Sequence, residues 1–360
     1  MLNRVFVLTL FFMLYLSLDC ISQKIGSSII SGYITSDSTG KPVEDVNVFI
    51  SNSIFGASTN KHGYYKITKV PAGTHDLVVS MVGYYVKTKT IVVNKEQNLK
   101  CSISIKPHIY ELPPVEVLAD RPKQWLKNYE KFKKKLLGKS EFTSDCDIQN
   151  PEILEFEIKN DNTFIAKAND PLIIVNEALG YKIDFILVSF KWKKREGKLR
   201  YIYRTRFYLL ESTDEKQLLK WHLNREKAYN GSVRHFLFKL IQGEIESAGF
   251  NVFHVNEVEI KNPIKSEFKI DNPMHRLIKR DPLTNEHTIS FSDFIKIIYN
   301  KETMLNIQNK IIPQVSWLKI KDKDVVIDLF GDPQGILTFE LYGYWADFGV
   351  AEMLPKYYVP

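Results

Sequence analysis

Cysteine is scarce in this chain. Three occur in 360 residues, and Cys20 sits at the end of an N-terminal apolar run. A disulfide-stapled scaffold is therefore excluded. Cys101 and Cys146 can pair in an oxidising compartment. However, Cys101 stands in LKCSISI, where Leu99, Cys101, Ile103 and Ile105 alternate onto one strand face, and that placement favours a buried free thiol. Long apolar runs are scarcer still. Beyond residues 5–18, no run approaches the roughly 20 residues of a membrane-spanning helix. Local catalytic signatures are missing too: there is no G-x-S-x-G elbow, P-loop, G-x-G-x-x-G, H-E-x-x-H or C-x-x-C. Any catalytic site must therefore gather residues that are distant along the chain.

What is present indicates a globular, exported protein. Apolar residues make up 44% and aromatic residues 12%, which a disordered chain does not reach. The length suffices for two domains. Arg4 precedes VFVLTLFFMLYLSL at 5–18, and DCISQK follows. A charged start, a short apolar core and a small-residue exit predict a signal peptide at 1–22, cleaved after Ser22. Asp19 stands where a lipobox needs Gly or Ala, which speaks against lipidation of Cys20. The expected location is the periplasm or the outer membrane. The net charge of +7 is concentrated at 121–139, where eight Lys/Arg face Glu130 alone. The remainder is near neutral, so together with export it disfavours a nucleic-acid partner.

Residues 29–105 read as about seven short strands with turns every 8–12 residues, the spacing of an antiparallel sandwich. Turn chemistry marks Lys61-His62-Gly63, Pro71-Ala72-Gly73 and Gly83-Tyr84. His62 and His75 stand at turn edges, which predicts that both are solvated. The stretch SGYITSDSTGKPVEDVNVFISNSIFGASTNKHGYYKITKVPAGTHDLVVSMVGY resembles the carboxypeptidase regulatory-like domain. Gly32, Gly40, Pro42, Val48, Thr59, Gly63, Tyr65, Pro71, Gly73, Leu77, Ser80, Gly83 and Tyr84 fall on that family's pattern; its usual Asp is Asn60 here. The resemblance implies a transthyretin-like β-sandwich of the kind found at the front of outer-membrane receptors and exported proteins of Bacteroidota type. ELPPVEVLAD at 111–120 is similar to the strand that follows this domain in TonB-dependent receptors, although about 338 mature residues are too few for plug and barrel. CDIQNPEILEF, PLIIVNEALGYKI, REKAYNGSVRHFLFKLI and the terminal MLPKYYVP resemble exported Bacteroidota proteins that bring no known activity with them.

The expected organisation is multidomain: an N-terminal all-β transthyretin-like sandwich plus a larger α+β domain. The boundaries are 1–22 for the signal peptide, 23–108 for the sandwich, 109–139 for a linker and basic amphipathic helix, and 140–360 for the α+β domain. In the helix, Trp125, Tyr129, Phe132 and Leu136 form one apolar stripe. The stripe can pack on the neighbouring domain, with 121–139 alternatively touching a membrane. Strands are expected at 152–158, 163–168, 172–175, 250–260, 317–320, 325–329 and 336–344. A long hairpin is expected around Arg195-Glu196-Gly197, helices across 213–240, and a short helix near 292–299.

Two constellations carry chemistry. His254-Val255-Asn256-Glu257 has the His/Glu spacing of metallocarboxypeptidase zinc ligands. However, His275 and His287 follow too closely to supply the third ligand, and the segment alternates as a strand. No metal, cofactor or catalytic residue is therefore assigned. Trp221, Arg225 and Tyr229 share a helix face with His235 nearby and could hold an acidic or sugar ligand. Alternatively, Trp221 and Tyr229 are core residues, and Arg225 pairs with Asp170 or Glu177. The expected function is a non-enzymatic cell-envelope protein that binds a protein or glycan. The alternative is a hydrolase with a non-local active site in 140–360.

Overall fold

A computed structural model describes residues 28–108, 122–256, 268–281, 286–305, 311–321, 324–335 and 337–360. The expected signal peptide, the 111–120 segment and Glu257 lie outside these residues. The protein is multidomain, with an N-terminal β-sandwich and a larger domain. Two compact units divide the chain: Met1–Ile50 with Phe55–Tyr110, and Ser51–Ile54 with Glu111–Pro360.

Eight strands build the first unit: β1 (Ser28–Ser36), β2 (Asn47–Ile50), β3 (Gly56–Ser58), β4 (Tyr64–Val70), β5 (Gly73–Ser80), β6 (Lys87–Val93), β7 (Asn98–Lys100) and β8 (Ile103–Ile105). β1 pairs antiparallel with β4 on one side, and in parallel with β7 and then β8 on the other. The second sheet runs β3-β2-β5-β6, all antiparallel. Period-2 alternation decides which side chains go in. Ile30, Ile34, Tyr65 and Ile67 of one sheet and Val48, Leu77, Val79 and Val93 of the other are almost fully buried, each contributing about 1.5–3 kcal/mol.

Two expectations need correction here. LKCSISI is two strands, broken at Cys101, whose carbonyl accepts the Tyr65 hydroxyl while its N–H donates to Ser31 O. His75 is buried, because the Pro71 carbonyl lies 2.8 Å from its Nε2 and supplies a partner that solvent would otherwise provide. Cys101 and Cys146 are both free and buried.

The second unit begins with helix α1 (Lys123–Leu137), packed on a six-stranded antiparallel sheet. The strands are β9 (Cys146–Ile148), β10 (Leu154–Ile158), β11 (Thr163–Ala168), β12 (Leu172–Asn176), β13 (Tyr181–Lys193) and β14 (Lys198–Leu209). Their order is β10-β11-β13-β12-β9, with β14 on the other side of β13. The apolar stripe of α1 does what its spacing predicts. Tyr129, Phe132 and Leu136 are buried, Phe132 lies 4.9 Å from Phe190, and Trp125 donates its indole N–H to Leu154 O. α1 ends where its backbone crosses residues 347–349 almost without clearance. A Cβ on Gly138 would lie 2.5 Å from Gly349 N, and one on Gly349 would lie 2.4 Å from Gly138 N.

Helices α2 (Glu215–Tyr229), α3 (Val233–Gln242) and α4 (Ile245–Ala248) follow. Asp214 and Ser232 cap the first two by accepting backbone N–H groups. Next come β15 (Phe250–Val255), β16 (Phe268–Lys269), α5 (Pro273–Leu277), β17 (Ile278–Arg280), β18 (His287–Ile289), β19 (Phe294–Leu305), β20 (Ile311–Ile320), β21 (Val325–Ile327) and β22 (Phe339–Gly343). They form sheets β16-β15-β19-β20-β22 and β17-β18-β21. Phe236, Leu237 and Leu240 of α3 join Phe250, Ile297 and Leu318 in a second core. The short helix expected near 292–299 is instead the start of β19. Ile295, Ile297 and Tyr299 alternate inward, and the segment pairs with β15 on one side and β20 on the other.

Candidate functional site

The face of α2 singled out from the sequence clamps a turn. Between β12 and β13, the chain reverses at 177–180 and leaves four carbonyls in a row. Three side chains at helical spacing capture them. Trp221 Nε1 donates to Glu177 O (2.8 Å), Asn224 Nδ2 to Ala178 O (2.8 Å), and Arg225 to Leu179 O (2.7 Å) and Gly180 O (3.1 Å). The Arg225 guanidinium also lies 4.3 Å over the Tyr181 ring. The expected carboxylate partner, Asp170 or Glu177, is thus replaced by backbone. Gly180 adopts φ 68°, and a Cβ there would sit 2.4 Å from Trp221. Trp221 is buried, as the packing alternative requires.

Tyr229 and His235 meet at the α2–α3 junction, with ring centroids 5.0 Å apart. His235 Nδ1 accepts the Gly231 N–H, so the neutral ring carries its proton on Nε2. Burial, with Lys239 and Lys301 nearby, lowers its pKa to about 4. Burial pushes Tyr229 up to about 12, with Arg234 opposing. The four predicted residues form two adjoining groups, each engaged with its own neighbours.

Two clusters had no sequence signal. In the first, Lys356 is 9% exposed and reaches Asp328 (2.8 Å) and Asp332 (3.4 Å). Arg234 donates to Pro355 O and Tyr358 O. Burial raises the Asp332 carboxyl against the pull of Lys356. The Lys356 ammonium is raised in turn: burial alone would lower it, and Asp332 and Asp328 outweigh that. This charge set pins residues 355–358 to α3 and the 328–332 loop.

In the second cluster, carboxylates converge from separate elements: Glu141 after α1, Glu302 on β19, and Glu352 in the Val350–Glu352 turn. Gln314 Nε2 donates to Glu302 Oε2 at 2.6 Å, and Lys227 pairs with Glu141 at 2.7 Å. Lys139 pairs with Asp347 at 2.7 Å. Burial raises Glu302. Burial, then Glu141, Glu302 and Asp347, raises Glu352 to about 8, so it keeps its proton at neutral pH. A carboxyl raised in this way, among other carboxyls, is the kind of group from which general acids are made.

His254 lies on β15, 3.7 Å from Asp293. Among the described residues, no three His, Cys, Asp or Glu side chains are placed to hold a metal. No helix there is long and apolar enough to cross a membrane.

The first unit offers a different surface. On the outer face of β1 and β4, cross-strand neighbours Tyr33 and Tyr64 pack with ring centroids 5.4 Å apart and planes tilted by 57°, and Tyr33 is 52% exposed. Ser31, Lys66, Thr68 and Lys100 share that face by alternation. The turns that shape this unit, at Gly63, Gly73 and Gly83, all take positive φ. Residues 30–117 match a family model. They belong to the CarboxypepD_reg-like domain family. The regulatory-like domain covers the sandwich.

No curated protein matches the chain. Among solved structures, it is similar to a cohesin–X-dockerin complex of Acetivibrio cellulolyticus, at 24% identity over 22% of this chain and 52% of that one, with a TM-score of 0.18. It is also similar to the group B streptococcus pilus 2b backbone protein, at 12% identity over 22% and 41%, with a TM-score of 0.20. A DUF3823 family protein of Bacteroides ovatus is 12% identical over 52% and 83%, with a TM-score of 0.18. The chain thus spans about half or less of the first two of these.

Proposed function

We propose that this is a non-enzymatic cell-envelope protein whose CarboxypepD_reg-like domain binds a protein or glycan partner. The observation that supports this reading is the Tyr33–Tyr64 pair on the outer sheet face, with Tyr33 exposed and Tyr64 half-buried. A rigid tyrosine pair offers a large apolar area with hydroxyls at its edge and little entropy to lose on binding. The neighbouring Ser31, Thr68, Lys66 and Lys100 add hydrogen-bond donors around it. Export by a leader ending at Ser22 supplies the compartment, and a sandwich at 23–108, a linker with helix at 109–139 and a domain at 140–360 supply the organisation. The test is capture from envelope extract, with glycan arrays in parallel, using wild type and the Tyr33→Ala/Tyr64→Ala double variant. Wild type should retain a partner that the variant loses while both fold alike. Equal capture by both proteins, or recovery of the chain from the cytoplasmic fraction, would overturn the reading.

A second reading, a hydrolase in 140–360, is favoured by the convergence of Glu141, Glu302 and Glu352, where burial and neighbouring carboxylates raise Glu352 to about 8. Turnover of any chromogenic glycoside or ester that disappears in Glu352→Gln would establish it. No turnover by wild type across the panel would end it.

A further inference from the structure

Two lysines from distant parts of the chain meet on one indole. Lys135 Nζ, in the last turn of α1, lies 4.8 Å from the ring centroid of Trp192. Lys194 Nζ, at the bend between β13 and β14, lies 5.5 Å from the same ring. Packing of α1 on the sheet imposes this meeting, since Phe132, one turn earlier, sits on Phe190. Neither ammonium has a carboxylate within ion-pair distance among the described residues. A shared ring offsets only part of the repulsion between them.

The charge extends outward in both directions. Lys131 and Lys127 stand four and eight residues before Lys135, so an exposed row runs along α1 toward Trp192. At the hairpin tip, Arg195 is exposed; Lys191, between Phe190 and Trp192, points to the other face of the sheet. The acidic groups nearby are Glu130, Asp161 and Glu196, and Glu196 is already engaged by Lys193 at 3.1 Å and Lys198 at 3.9 Å. The sequence shows the basic run on α1; only the fold adds the hairpin tip, some 60 residues on, to the same surface.

We propose that the lysine row of α1 and the tip of the β13–β14 hairpin form one cationic surface that seats on an anionic lipid headgroup layer. The chemistry favours a lipid layer over a single ligand. Lysines are flexible point charges without the planar fork that grips one phosphate or carboxylate bidentately. They are spread over two elements, as a plane of singly charged headgroups requires. This surface lies in the second unit and stands independently of the tyrosine pair.

Co-sedimentation of the full chain with vesicles tests it, comparing phosphatidylcholine alone with phosphatidylcholine containing about one-third phosphatidylglycerol. Wild type should prefer the anionic vesicles, and the preference should fall as salt rises. The variant K127Q/K131Q/K134Q/R195Q removes four exposed charges and leaves Trp192 and both of its lysines intact. It should bind anionic vesicles on the order of 1000-fold more weakly. K41Q/K61Q/K89Q/K95Q removes the same charge from exposed sites on the sandwich and should bind like wild type. The apolar run at 5–18 is common to all three proteins and cancels in the comparison. Equal binding of wild type to both vesicle types would overturn the proposal. So would equal losses in the two variants, or tighter binding to heparin than to anionic vesicles, which would assign the surface to a polyanionic glycan.

Discussion

Glu352→Gln should make the second unit more stable than wild type in alkaline solution and leave it unchanged in acid. The Glu352 carboxyl is shifted from an ordinary 4.5 to about 8 by burial and by Glu141, Glu302 and Asp347. Below pH 4.5, the folded and unfolded chains both hold the proton, and full stability is present. As pH climbs toward 8, the unfolded chain has released its proton while the folded one keeps it, so stability falls throughout that interval. At about 1.4 kcal/mol per pH unit, the whole interval costs on the order of 4–5 kcal/mol, which partial solvent access trims to roughly 3 kcal/mol. Glutamine keeps the shape of the protonated acid and cannot ionise. All five tryptophans, at 125, 192, 221, 317 and 345, belong to the second unit, so their emission during urea unfolding reports that unit alone. His235 titrates near 4 and Cys146 near 12, both outside the window from pH 6 to 9. Parallel decline of wild type and variant across that window would refute the reasoning.

Other substitutions separate structural roles from functional ones. Arg225→Ala removes two hydrogen bonds to carbonyls and a contact with Tyr181. It should cost about 2–4 kcal/mol, read as a lower urea midpoint; an unchanged midpoint would return Arg225 to the ligand-binding role. Lys356→Met strands Asp328 and Asp332 and should cost about 3–5 kcal/mol at pH 7. The loss should shrink as pH falls and the raised Asp332 carboxyl takes up a proton, which a pH series of thermal melts would show. Gly180→Ala drives a methyl into Trp221 at a left-handed φ, so its melting temperature should drop well below that of a Gly197→Ala control at an open turn.

The features legible in the sequence were those written locally. Gly63 and the Pro71–Gly73 turn announce the sandwich because turn chemistry is a property of adjacent residues. The α1 stripe and the β13–β14 hairpin are equally local patterns. The start of β19 misleads because Phe291, Phe294 and Ile298 also satisfy helical spacing; pairing with β15 and β20 then overrides local preference. His75 looked solvated because the sequence does not show that the Pro71 carbonyl bends back to its ring. Among the candidate residues, Trp221 and Arg225 were correctly placed on one helix face. Their partners were unreadable, since backbone carbonyls carry no residue label. Lys356 with Asp328, and Glu141 with Glu302 and Glu352, come together only through long-range packing.

The zero-clearance crossing of Gly138 and Gly349 bears on how the protein is made. Lys139 and its partner Asp347 are separated by 208 positions, so the end of α1 emerges from the ribosome long before the segment that locks it. Phe132 and Leu136 can settle on their sheet early, but the seam beside them stays open until nearly the whole second unit has been synthesised. A chain with so distant a closing contact folds slowly and exposes apolar surface meanwhile. Its yield in cells should therefore depend on holding chaperones more steeply than its final stability suggests.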